Sequence, residues 1–446
     1  MGLLVLLVLS VVFIIVATVK LRLHPFLALI FAAFGFGIIA RMPLADVAKG
    51  VNSGFGDTVG TIGIVILAGS IIGSFLEKSG GAYRVAEAIL RVVGKKNVPL
   101  AMAIIGYIVS IPVFCDSGFV LLSPLNHALA RRARLTLAAC AIALSLGLYS
   151  THTMVPPTPG PVGAAGILGA DLGLVILWGM LVAAVASFVG WLFAIKIAAR
   201  TATEFDEQAA EARTEPALDE APSALKSLVP IVLPIILIIL RSLAELPSKP
   251  FGDGRTSMLL SFLGMPVVAL LLGVLIAFLL PKKLTLDMIS GSGWVGEAVL
   301  GAATIIIITG AGGSFGRILK DSGISEVVKT LFAGREGIGI LLPFLIAAGL
   351  KTAQGSSTVA MITTASLIMP LLSSLGLDGA NAKALVVVAI GAGSMIVSHA
   401  NDSYFWVVTQ FSNMSVNQGY KLQTVGTLVE GLAAGMTVWI ISLIVL

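Results

Sequence analysis

Charge is scarce in this chain. Asp, Glu, Lys and Arg make up 11% of its 446 residues, against 57% hydrophobic. A soluble globule of that length needs far more polar residues to cover its surface, so the composition excludes one and predicts an integral membrane protein. Cysteine is almost absent. Cys115 and Cys140 lie in apolar segments without metal-ligand spacing, which excludes a disulfide scaffold or a cysteine metal site and leaves two small buried residues. No glycine-rich nucleotide loop occurs, so a pump driven by ATP is unsupported, and no basic stretch points to a nucleic acid. The first apolar run, residues 3–19, has neither a basic leader nor a small-residue cleavage site before Lys20 and is expected to be a retained membrane helix.

What is present repeats. Phe75-Leu76-Glu77-Lys78-Ser79-Gly80 follows a glycine-rich apolar stretch, and Ile318-Leu319-Lys320-Asp321-Ser322-Gly323 follows another in the second half. Thr151-His152 is answered by Ser398-His399 at nearly the same offset. Rare intramembrane polar pairs at matched places in two apolar halves are the layout of a secondary transporter built from internal repeats, with its site where the halves meet.

Scanned with a window of roughly 19 residues, the chain shows apolar spans of unequal length. Those at 98–114 and 119–130 flank a polar tip at Pro112–Gly118, and those at 338–350 and 358–372 flank another at Thr352–Ser357. Each is too short to cross a bilayer, which takes about 20 residues, so each pair reads as a re-entrant hairpin whose broken backbone lines a polar cavity. The expected fold is an all-α polytopic membrane protein of two inverted repeats, 1–200 and 226–446, joined by a linker at 201–225. Each repeat has five crossings, one hairpin (about 98–130 and about 338–372) and one broken helix. With the N-terminus outside, Lys20, Arg22, Lys78, Arg84, Arg91, Lys95, Lys96, Arg131, Arg132, Arg134, Lys196, Arg200, Lys282 and Lys283 gather on one side, which the positive-inside bias makes the cytoplasm. The acidic, Ala-rich segment 204–220 suits a solvated linker on that side.

A small carboxylate leaving water needs donors that are already in place, and broken helices aim free N–H groups and positive dipole ends inward. The candidate substrate-binding residues lie at those breaks. Ser117 and Gly118 are at the first tip, Thr151 and His152 at the first break, Gln354, Gly355, Ser356, Ser357 and Thr358 at the second tip, and His399, Asn401 and Ser403 at the second break. Hydroxyls and amides suit a polyol acid, since they donate or accept as required. With no Arg at these points, recognition of the charge falls to dipoles, a histidine or Lys351. An ionisable group at membrane depth is a functional candidate by default. Asp116 is the first choice for proton coupling, because a hairpin tip can face the two sides in turn, and Asp402 is the second. Either could instead be a plain N-cap. His24 and His127 read as structural, Glu430 is left unassigned, and Gly69/Gly73 and Gly312/Gly316 read as close helix contacts.

Four segments in order, residues 112–124 (PVFCDSGFVLLSP), 155–161 (VPPTPGP), 353–361 (AQGSSTVAM) and 398–406 (SHANDSYFW), resemble the gluconate permease (GntP) family of bacterial sugar-acid:proton symporters, and the similarity runs through nearly the whole chain. The resemblance implies import of gluconate or a related hydroxy acid with protons across the bacterial inner membrane, two inverted repeats, an elevator movement and a homodimer. It implies no cofactor and no metal. Many members carry His in a Pro-Pro-His-Pro-Gly-Pro version of the second of these segments, where this chain has Thr158. The substrate therefore stays open among gluconate, another aldonate, D-serine, glycerate and hydroxybutyrate, and Na⁺ coupling stands beside H⁺. An enzyme is the remote alternative: Gly54-Phe55-Gly56-Asp57 spells the GxGD of intramembrane aspartyl proteases, but such sites need a second Asp to share a proton.

Overall fold

A computed structural model of the chain describes residues 2–94, 97–133, 135–201, 221–245, 250–252, 254–324 and 339–446. Most of the expected linker, with Lys95, Lys96, Arg134 and the first residue of the second hairpin, lies outside them. Every regular element among the described residues is helical. The first half comprises α1 (Gly2–Ile15), α2 (Pro25–Ile39), α3 (Leu44–Lys78), α4 (Gly81–Val93), α5 (Val98–Val109), α6 (Cys115–Ala133), α7 (Leu137–Met154), α8 (Pro159–Leu168) and α9 (Leu172–Lys196). The second comprises α10 (Ala224–Ala244), α11 (Arg255–Leu263), α12 (Pro266–Ala277), α13 (Trp294–Asp321), α14 (Leu341–Gln354), α15 (Ser357–Ile368), α16 (Ala380–Ser394), α17 (Ser403–Phe411) and α18 (Val425–Val445). The all-α class and the two helix pairs are as the sequence predicts, although α6, at 19 residues, is longer than the apolar run at 119–130.

Six spans among the described residues are long and apolar enough to cross a membrane, or seven if the pair α11 and α12, bent by 68°, counts as one. The five-and-five arrangement therefore rests on three further segments that fall short as single straight helices. α1 passes into a π-turn at Val16–Lys20, α2 has 15 residues, and α16 is cut from α17 by the break at 395–402.

Small residues build the contact between the halves. Gly54 on α3 meets the backbone of Gly313 and Ser314 on α13, and the Ser314 hydroxyl donates to the Val51 carbonyl at 2.8 Å. Such contacts are how helices associate where lipid is as apolar as leucine. Lys78 and Glu297 form an ion pair at one end of this contact. The GxGD pattern is thereby accounted for. Gly54 is a packing residue, Asp57 is exposed, and Glu297, the acid in the matching stretch, is committed to Lys78.

The span made by α7 and α8 is wholly buried and forms the axis of the bundle. α5 and α9 pack on α7, α15 packs on α8, and α9 also packs against α16 and α18, so the two halves of the chain interlock. Gly73 on α3 seats the first tip, since a Cβ there would run into the Pro112 carbonyl, while Gly69 faces Pro157 in the first break. Gly312 and Gly316 seat α15 through Ile362, Ser366 and Met369. All four glycines serve close approach.

With both native cysteines buried, introduced cysteines report topology cleanly. A cysteine placed within 204–220 should react only from the cytoplasmic face, and one at residue 2 or 446 only from outside. Labelling of either terminal cysteine solely from inside would contradict five crossings per repeat.

Candidate functional site

α14 ends at Gln354, and Gly355 turns the chain with φ of +82°. Ser356 then starts α15 by accepting the Val359 N–H at 3.3 Å. The turn places the C-terminus of one helix beside the N-terminus of the next, which leaves the last carbonyls of α14 to be satisfied from outside. The second break supplies the donors. Asn401 Nδ2 donates to the carbonyls of Thr352 at 2.9 Å and Ala353 at 3.2 Å, and His399 Nε2 lies 2.9 Å from the Thr352 carbonyl. Two residues expected to bind substrate thus also fix the tip to the break.

One turn before Gly355, Lys351 is fully buried. Its ammonium donates to the Gly355 carbonyl at 2.5 Å and to Asp402 Oδ2 at 2.7 Å. Asp402 is also buried and is the acceptor of the break. Oδ1 caps α17 by taking the Tyr404 N–H at 3.0 Å, while Oδ2 takes the Ser398 hydroxyl at 2.6 Å and the Tyr149 hydroxyl at 3.5 Å besides Lys351. The N-cap reading of Asp402 is correct and incomplete, for the same carboxylate holds the buried lysine. Ser398 is fixed in turn by α18, its N–H donating to Thr427 at 3.0 Å and its carbonyl accepting from Thr424 at 2.6 Å.

The first tip closes the other side. After α5 the chain turns through 110–114, and Asp116 falls in the first turn of α6, half-buried. Its Oδ1 accepts the Ser403 hydroxyl at 3.4 Å, so the first tip touches the residue after Asp402, and the two carboxylates are near enough for their charges to interact. Ser117 is half-buried beside it and Gly118 packs on Leu148.

Asp116, Gly355, His399, Asn401, Asp402 and Ser403 therefore meet at one place. The Gln354 amide lies at the same tip, buried, with neither its oxygen nor its nitrogen in a hydrogen bond. Ser357 reaches Tyr149. Of the other candidates, Thr151 and Thr358 bond or pack elsewhere, while His152 lies beside the first tip. The Thr151 hydroxyl donates to the Leu148 carbonyl of its own helix at 3.5 Å, and Thr358 faces Gly160 at the start of α8. His152 is buried with its ring centroid 5.8 Å from that of Phe114, and its Nδ1 has no partner. Thr158 donates to the Val155 carbonyl at 2.6 Å inside the first break. His24 caps α2 through the Phe26 N–H, and His127 lies 2.7 Å from the Phe411 carbonyl, the structural roles expected of both. Glu430 is fully buried on α18, its Oε1 beside Gly190 of α9, and neither oxygen has a hydrogen bond. Sequence reasoning offered Lys351 as one of three possible sources of charge recognition, placed Ser398 in the second break without a role of its own, and passed over Tyr149. Only its position next to the first break could have marked Tyr149.

Two hairpin tips and a broken helix brought to a buried lysine–aspartate pair inside a bundle of apolar helices define a multi-pass membrane transporter, not an enzyme. The chain belongs to the GntP family of permeases, whose family model matches residues 2–444. It is 35% identical to a gluconate permease of Pseudomonas aeruginosa over 93% of this chain and 92% of that one. It is 32% identical to the D-serine transporter DsdX of Escherichia coli over 98% of each. The solved structure of the Alcanivorax borkumensis YdaH transporter has the same fold, with a TM-score of 0.65 at 15% identity, over 94% of this chain and 98% of that chain.

Proposed function

We propose that this permease carries gluconate or a related small hydroxy acid into the bacterial cell together with protons, by an elevator movement of the hairpins and broken helices. The observation that carries the reading is the meeting of Asp116 and Asp402 through Ser403 where both tips converge. Two neighbouring carboxylates resist being ionised together, so the pair can take up a proton as a unit. Around them the hydroxyls of Ser117, Ser356 and Ser357 and the unpartnered Gln354 amide offer both donors and acceptors to a polyol chain. D-Serine is the second reading, favoured by the similarity to DsdX across the full chain.

Uptake of labelled gluconate, glycerate, hydroxybutyrate and D-serine into proteoliposomes, under an imposed pH or Na⁺ gradient, tests the proposal. Accumulation of a hydroxy acid with the outside acidic is the expected result. Uptake driven by Na⁺ alone, or of none of the four, would overturn it.

Ser356→Ala removes the hydroxyl that starts α15, and Asn401→Ala frees the Thr352 and Ala353 carbonyls. A typical hydrogen bond contributes about 0.5–1.5 kcal/mol, so each variant should bind substrate several-fold more weakly at unchanged protein level. Unchanged affinity in both would place the site elsewhere.

A further inference from the structure

We propose that Lys351 is the receptor for the substrate's carboxylate and that Asp402 is its resident stand-in, displaced when substrate binds and protonated as it leaves the lysine. The proposal rests on the reading of the protein as a proton-coupled carrier of small carboxylates.

Lys351 is the only charged residue of α14 and α15, and it is placed at the hairpin tip with no exposure to solvent. A lysine so buried needs an anion, and in the absence of substrate Asp402 is that anion. The pair is neutral as a unit. A substrate anion entering alone would leave one uncompensated negative charge at membrane depth. One proton added to Asp402 removes it. Before binding, the lysine ammonium faces the Asp402 carboxylate; afterwards it faces the substrate carboxylate, and Asp402 is a neutral acid. Each monoanion therefore enters with one proton, and the occupied and empty sites carry the same charge.

The surroundings of Asp402 suit this exchange. The oxygen that meets Lys351, Oδ2, is the one also contacted by the hydroxyls of Ser398 and Tyr149. A hydroxyl donates to a carboxylate and accepts from a carboxylic acid, so one of the two can reverse to accept the proton's hydrogen bond while the other goes on donating. Oδ1 keeps the Tyr404 N–H throughout, which holds the group in place. The titratable groups around Asp402 are Lys351 from α14, Tyr149 and His152 from α7 and Cys115 and Asp116 from the first hairpin, while Tyr404 of α17 meets it through the backbone N–H and turns its phenol to the Ser145 carbonyl. Among these Asp116 is half-buried and bonded to the exposed Ser403 hydroxyl. It is the group placed to pass a proton between water and Asp402.

A merely structural ion pair would have no effect on how binding depends on pH. Equilibrium binding of labelled gluconate to the purified protein separates the two roles. For the wild type, uptake of one proton with the ligand means that affinity weakens as pH rises, by up to about tenfold per pH unit. Asp402→Asn should bind gluconate with no pH dependence. Since either single change leaves one buried charge unpaired, the deciding variant is the double Lys351→Met/Asp402→Asn, which carries neither charge and keeps the fold readable by its thermal unfolding. It should be folded and bind at least 100-fold more weakly, on the order of what loss of a buried charge-paired contact gives. Wild-type affinity in the double variant, or the wild-type pH slope in Asp402→Asn, would overturn the proposal. A wild-type protein that binds neither gluconate nor D-serine would instead remove the reading beneath it.

Discussion

The Gly355→Val variant is expected to reach the membrane in normal amount and to transport at least 30-fold more slowly than the wild type. Gly355 has φ of +82°, and a Cβ there would run into the carbonyl and side chain of Asn401. A non-glycine residue in the left-handed region costs roughly 1–2 kcal/mol, and forcing extra atoms into a packed contact costs roughly 1–3 more. A sum of about 2–5 kcal/mol against the closed tip corresponds to a factor of roughly 30 to several thousand in its population. The strain falls on a turn between two short helices and not on the core, so folding should survive. The displacement would also move the Gly355 carbonyl from Lys351 and the Thr352 and Ala353 carbonyls from Asn401. Gly355→Ala, which adds no β-branch, should fall between the two. Transport at the wild-type rate by Gly355→Val would show that the second tip does not close against the break.

Asp116→Asn is expected to separate movement from coupling. Asparagine keeps the shape of the side chain and a contact with Ser403 but cannot carry a proton between water and Asp402. Exchange of substrate between equal pools needs no proton to leave Asp402 if one anion replaces another at Lys351, and should continue. Net uptake driven by a pH gradient should slow by about 100-fold, the low end of what a positioned proton-transfer group contributes. The two assays on one proteoliposome preparation decide it. If gradient-driven uptake stays at the wild-type rate, Asp116 is not on the proton path, and Asp402 exchanges its proton by another route.

Much of the architecture was legible because polar and small residues are so rare in this chain that each marks a place. The charged runs ending α3 and α13 and the two helix pairs fall where the sequence puts them, and the breaks do so in part: α7 stays helical through Met154, so Thr151 and His152 lie in its last turns and the first break shrinks to 155–158. The boundaries shifted for local reasons. Asp116 belongs to the first turn of α6 because the chain turns earlier, at 110–114, and the second tip shrinks to Gly355 and Ser356 because α14 stays helical through Gln354. α1, continued by the π-turn to Lys20, and α2 cover the apolar runs that mark them in the sequence, yet neither is a straight helix long enough to count as a span by itself. The site was legible as a set of polar segments and not as a set of contacts. Asp402 and Lys351 are 51 residues apart, and nothing local to either says that they touch. Asn401 and His399 read as ligands because a break exposes them, while the need they meet, the open carbonyls of α14, belongs to another helix. Asp116 ranked above Asp402 on the mobility expected of a tip; a buried lysine partner, visible only in three dimensions, moves Asp402 to the centre.

Proton and substrate fluxes measured together test the central claim most directly. With a pH indicator trapped inside proteoliposomes and labelled gluconate added outside, the expected result is acidification of the lumen in step with gluconate entry, one proton for each anion, unaffected by a membrane potential. Gluconate entry without proton movement, or a rate that follows the membrane potential, would contradict it.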